Sequence, residues 1–234
     1  RQLLVLGTLA RLVRQAHEEM LRLGMEEERA KAVTTYLGFV VDRVADYNSS
    51  FCSWIVKREV VRNTFPQQAI RMAWDYTEID PFAGASGSWK GAVNWIKKVL
   101  EHLCAVEQAP ATVRRGNAQA LDYPDSYFDA VIVDPPYYDS FQYGDLSDFF
   151  FVWLKRSVGH LYPELFQTPL TPKQAEVIEN RADKKSAEYI SHDEFEDRLQ
   201  NALKELARVA KPEGIVALVF AHTDVEAWER LLRA

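Results

Sequence analysis

Cysteine is scarce in this chain, with two in 234 residues. Cys52 and Cys104 suit a reduced cytoplasm and give no metal-ligand spacing. Five scattered histidines add no metal cluster, so no metal is expected. Long hydrophobic runs are missing too. The longest apolar stretches, such as residues 215–221, are far too short to span a bilayer, and no signal peptide is visible. Nor is there an excess of positive charge: 28 Lys and Arg stand against 34 Asp and Glu, a net charge of −6. Phosphate contacts supply most of the affinity of a stand-alone DNA-binding domain, so this balance argues against an autonomous one. The basic pairs that occur, Lys57-Arg58, Arg114-Arg115, Lys155-Arg156 and Lys184-Lys185, each read as solvated surface. Internal repeats and low-complexity tracts are absent.

What remains is a chain with 47% hydrophobic residues, enough for a full core. Apolar periodicity predicts helices over residues 1–23, 26–47, 90–103, 146–158 and 192–210. In the second, Val33, Leu37, Val40, Val44 and Tyr47 share a face. In the fourth, Phe149, Phe150, Phe151 and Trp153 read as core. Residues 51–61 read as a further helix or a short extended piece, and 62–77 as irregular. Strands are expected at 112–114, 129–134 and 215–220, with a turn at Lys211-Pro212-Glu213-Gly214. Residues 161–172 read as a loop, and Asp224 as a cap for the last helix. The alternation of strand and helix after residue 112 predicts a parallel sheet. The expected organisation is a mainly helical region over 1–105 and an α/β domain over 106–234. Both ends fall inside helical patterns, and Arg1 is not a methionine, so a fragment of a longer protein is expected. Exposed apolar sheet would then favour a homodimer.

The most informative stretch is Val131-Ile132-Val133-Asp134-Pro135-Pro136-Tyr137-Tyr138. An apolar run meets an aspartate and is stopped by two prolines, as a buried strand ends at its carboxyl edge. Open α/β sheets place their ligand crevice there. A carboxylate, two rigid carbonyls from Pro135 and Pro136, and two aromatic rings are offered together. That set suits a flat, amine-bearing ligand such as a nucleobase. Tyr138 either lines the pocket or packs on the loop. Tyr143 and Asp145 shape its rim or start the next helix, and His222 reads as a loop histidine.

Asp134-Pro135-Pro136-Tyr137 after a strand resembles the signature of amino-methyltransferases acting on the exocyclic nitrogen of adenine or cytosine in nucleic acid. The resemblance implies that Asp134 and the Pro135 carbonyl accept the amine's hydrogens and that Tyr137 stacks on the flipped base. It implies a Rossmann-like class I methyltransferase sheet, partial in this chain, with S-adenosylmethionine as cofactor and DNA as substrate. Arg115-Gly116-Asn117-Ala118 resembles the family's Gly-Asp-Ala loop, which assigns Asn117 and Ala118 to the cofactor; Asn117 stands where the family has Asp. Residues 208–214 resemble its Leu-Lys-Pro-Gly-Gly turn. Residues 134–153, with Asp46-Tyr47-Asn48-Ser49 and Arg62-Asn63-Thr64-Phe65, resemble large adenine-specific DNA methylases of prokaryotes, which often carry a zinc ribbon and are sometimes linked to phage defence. Residues 80–88 resemble the family's Asp-Pro-Phe-Ala-Gly-Ser-Gly loop. The polar residues 75–78 before it and the short path to Asn117 favour an ordinary helix-entry loop. Glu107 is the only candidate for the acid that binds the cofactor ribose, and it reads equally as a surface residue. The chain is therefore expected to bind S-adenosylmethionine weakly by itself.

Overall fold

The computed structural model describes residues 1–67, 69–70, 72–106, 109–137, 141–174, 176–178, 190–221 and 225–233. The chain is a mixed α/β protein of two compact units: residues 1–109 with 145–171, and residues 110–144 with 172–234. No helix among the described residues is long and apolar enough to cross a membrane.

The first unit is built on helices α1 (Gln2–Arg22), α2 (Glu27–Asp46) and α3 (Trp89–Ala105), with most of α4 (Tyr143–Ser157). The Glu26 carboxylate starts α2 by accepting from the Glu28 and Arg29 amides at 3.0 and 2.9 Å. Leu6, Leu9 and Val13 of α1 pack with Val40, Val41 and Val44 of α2, and with Trp153 of α4. The buried face of α2 keeps Val40 and Val44 of the expected one, with Leu37 packed against the core, and departs from it at Val33. Val33 is exposed, while the small residues Ala30, Thr34, Gly38 and Ala45 are buried. Gly38 explains this. A Cβ there would lie 2.9 Å from Val158 Cγ1, so the helix end after Trp153 approaches α2 backbone closely. Along α3, Ala92, Val93 and Ile96 reach the core, while Val99 and Leu103 are exposed.

Residues 51–62 resolve as a hairpin: β1 (Ser53–Ile55) and β2 (Val60–Arg62) pair antiparallel around a short 3-10 turn. Its base is tied to the end of α2. The Thr64 amide and hydroxyl both donate to the Asp46 carbonyl, at 2.8 and 2.7 Å. Asn63 Nδ2 donates to Asp46 Oδ2 at 2.8 Å, and the Ser49 and Thr64 hydroxyls bond at 2.7 Å. The two short segments 46–49 and 62–65 thus meet in one polar knot.

The second unit holds the parallel pair β3 (Phe128–Val133) and β4 (Ala210–Leu218), with α5 (His192–Val209) and α6 (Val225–Arg233). Ser191 caps α5 through the Glu194 amide. Phe195 and Leu199 pack with Ile178, Ile190 and Leu231, and with Leu218 of β4. Two expectations are corrected. Residues 112–114 form no strand, and Val113 is 90% exposed, with no partner strand among the described residues. The turn at 211–214 is not separate from the last strand. Register runs Phe128 to Ala210 and then Ala130 to Ile215, so Lys211 to Gly214 bulge within β4.

Candidate functional site

β3 ends where its chemistry dictates. Val133 O accepts from the Val219 amide at 2.8 Å, the last bond before Asp134. Pro135 and Pro136 have no N–H to carry the ladder on. Asp134 is left exposed at the carboxyl edge, with Pro135, Pro136 and Tyr137 half-buried.

The turn closes on itself. Tyr137 donates its hydroxyl to Asp134 Oδ1 at 2.5 Å. That bond, with lesser help from partial burial and the nearby negative charge, raises the phenol above its ordinary range. The Tyr137 ring stands edge-on to Phe220, centroids 5.2 Å apart, and Phe220 stands edge-on to Trp228 at 4.9 Å. Trp228 is 41% exposed. A carboxylate, proline carbonyls and a row of three rings therefore share one strand edge. Phe220 and Trp228 were not singled out from the sequence. Phe220 reads only as a strand residue, and Trp228 reaches it through the packing of α6.

Asn117 and Ala118 lie in a separate exposed turn of the same unit. Asn117 Oδ1 accepts from the Gln119 amide, and its carbonyl accepts from Ala120, both at 3.0 Å. The amide oxygen that would take a cofactor amine is bent onto its own backbone. Residues 80–88 belong to the first unit and form a helix entry. Asp80 Oδ1 accepts from the Phe82 amide at 2.9 Å, Trp89 N donates to Pro81 O at 2.7 Å, and buried Ser88 caps α3. Gly87 has φ +81°, and a Cβ there would lie 2.5 Å from both Ile79 Cδ1 and Tyr47 Cβ. The protein's own side chains fill the space that glycine would leave for a ligand. The filling is local to Gly87: nothing lies within 4 Å of a Cβ built at Gly84 of the same loop or at Gly116 beside Asn117.

Of the other residues named above, Phe151 and Trp153 are buried, and Phe149 packs against the same core. Tyr143 opens α4 half-exposed, and Asp145 lies in its first turn. Glu107, Tyr138, His222 and Asp224 lie outside the described residues. Among the described residues no three His, Cys, Asp or Glu side chains form a metal-binding group. Buried Cys52 and exposed Cys104 are both free thiols.

Sequence reasoning also missed two charged sites. Asp42, on α2, has a buried Oδ1 without a hydrogen-bond partner, and burial pushes its carboxyl up to about 8. Arg208, on α5, holds the approach to β3. It donates to the carbonyls of Leu121 and Tyr123 and pairs with Asp125 and Glu205. Compared with known proteins, the chain matches no family model, no curated protein and no solved structure.

Proposed function

We propose that this chain carries the acceptor side of an adenine-specific DNA methyltransferase, which transfers a methyl group from S-adenosylmethionine to the exocyclic amine of adenine. One observation carries the reading: Asp134 stands exposed where a parallel strand is cut off by two prolines, with the Tyr137 hydroxyl on its Oδ1. The adenine amine is a poor nucleophile, because its lone pair is delocalised into the ring. Asp134 and the Pro135 carbonyl accept its two hydrogens and favour a pyramidal nitrogen. As that nitrogen gains positive charge, the fixed carboxylate stabilises it. Pro136 holds the turn rigid. Tyr137 stacks on the base once it leaves the duplex, and Phe220 supports the ring from its edge. No separate base is required, since the methylated amine is acidic and loses its proton to Asp134 or water.

The fold reading is a partial Rossmann-like sheet, supported by the parallel β3–β4 pair with α5 packed on it. A cytoplasmic location accords with a DNA substrate and free thiols. Exposed Ile132 and Ile215 support association of two copies.

A second reading is a catalytically silent binding or scaffold module that keeps the fold. The filled space at Gly87 and the folded-back Asn117 favour it. Methylation of genomic DNA at millimolar S-adenosylmethionine, followed by nucleoside mass spectrometry, separates the readings. N6-methyladenine supports the first. N4-methylcytosine, or methyl transfer to RNA alone, replaces the substrate. No methyl transfer at all leaves the silent module.

A further inference from the structure

The hairpin Ser53–Arg62 carries three cations, Lys57, Arg58 and Arg62, and one acid, Glu59. Its net charge is +2, three less one, in a chain of net −6. Among the described residues none of the three cations makes an ion pair, and Lys57, Arg58 and Arg62 are all exposed. The apolar residues beside them are exposed as well: Val56 at the tip is 77% exposed, and Trp54 is 50% exposed. A half-exposed tryptophan on a short strand is costly to leave in water, since aromatic rings carry the largest apolar area. The tip turns through Glu59 in the left-handed region, φ 52°.

The base, by contrast, is locked. Cys52 and Thr64 flank the two strands and are almost fully buried. The bonds from Thr64 and Asn63 to Asp46, and from the Thr77 amide to the Cys52 carbonyl at 3.0 Å, tie both ends of the hairpin to the first unit. A rigid base presents the tip with little entropy left to lose on contact. Trp54 pairs with Val61 on one face of the ribbon, while Ser53 pairs with Arg62 on the other. Cations therefore stand at the tip and on one flank, and the indole stands on the opposite face.

We infer that this hairpin is a duplex-DNA contact, a two-stranded ribbon that enters a groove and meets phosphates with Lys57, Arg58 and Arg62. The major groove, about 12 Å wide, admits such a ribbon, and phosphates line both its walls. Outside the hairpin the chain carries a net −8, −6 less +2, so this element is favoured over the rest for contact with a polyanion. Trp54 covers sugar or base-edge surface that the groove leaves apolar. The inference shares its partner with the proposed function but none of its chemistry, so the two can fail separately.

Fluorescence anisotropy of a labelled mixed-sequence duplex, titrated with the 234-residue chain over a range of salt, tests it. The wild-type chain binds, and log K falls with log salt. Lys57→Ala/Arg58→Ala/Arg62→Ala reduces that slope by about 2.7, near 0.9 for each lost phosphate contact, and weakens low-salt binding by about tenfold or more. Trp54→Ala weakens binding while keeping the slope. Asp134→Ala keeps the slope too, whatever it does to methyl transfer. All of these side chains are exposed, and thermal melting checks that each variant folds. No binding by the wild-type chain, or a triple variant with wild-type affinity and slope, overturns the inference. A chain that binds single-stranded DNA and not the duplex also overturns it.

Discussion

Tyr137 donates its hydroxyl back to Asp134 Oδ1 across 2.5 Å, so the ring proposed to stack on a base also holds the carboxylate proposed to receive its amine. One of the two carboxylate oxygens is thereby occupied before any ligand arrives. A base entering the site either takes the other oxygen or displaces the phenol. Tyr137→Phe removes that bond and keeps the ring. It should change capture of a flipped base only mildly. Tyr137→Ala also removes the face against Phe220, and should weaken capture by roughly ten- to hundredfold. Titration with a duplex carrying 2-aminopurine reads both. Equal damage by the two substitutions would make the hydroxyl, not the ring, the important group.

Gly87 gives a prediction about packing and one about the cofactor. At φ +81°, with Tyr47 and Ile79 pressed on it, it has no room for a side chain. Gly87→Ala should destabilise the fold by about 1–3 kcal/mol, the usual size of an overpacking cost, measured by urea unfolding. The same filling predicts that calorimetry with S-adenosylmethionine shows no tight complex. A micromolar dissociation constant would mean that residues 80–88 rearrange to form a cofactor loop.

Two carboxyl groups should tilt stability against pH in opposite senses. Asp42 rises from 3.8 unfolded to about 8 folded, because burial disfavours its charge. Between those values the native state holds a proton that the unfolded chain has lost. Its contribution is fully present below 3.8 and is lost as pH rises toward 8. Glu205 is held down to about 2, first by Arg208 and then by the Leu121 amide. Its contribution is present above 4.5 and is lost as pH falls toward 2. Asp42→Asn should therefore flatten the loss of stability between pH 3.8 and about 8 and raise stability at the upper end of that window. Arg208→Ala should flatten the acid side. Melting temperatures across pH check both, and a slope unchanged by Asp42→Asn would show that the group ionises in the folded protein.

Local patterning made some elements legible and left others hidden. α5 could be read because Phe195, Leu199, Leu203, Leu206 and Val209 recur at helical spacing; Leu203 is half-buried against the Phe195 cluster and the others are buried. The end of β3 could be read because proline chemistry is local. The face of α2 could be read at Leu37, Val40 and Val44 but not at Val33, since close approach at Gly38 selects small residues there. Val113 has strand chemistry but no strand to pair with among the described residues, and propensity without a partner makes no strand. The bulge at 211–214 reflects a register with β3 that no local signal encodes. At the site, Asp134 and Tyr137 stood out in the sequence. Phe220 and Trp228 emerged only when β4 and α6 packed beside them.

The central claim is that Asp134 is the acceptor of the adenine amine's hydrogens. Methyl transfer from tritiated S-adenosylmethionine at saturating concentration to DNA, compared for the wild-type chain and Asp134→Ala, tests it most directly. The account predicts N6-methyladenine from the wild type. It predicts a rate lower by about 10²–10³ for the variant, the size expected when a preorganised charge beside a developing cation is removed, with melting temperature unchanged. Wild-type turnover by Asp134→Ala, or methyl incorporation at another position of the base, would contradict it.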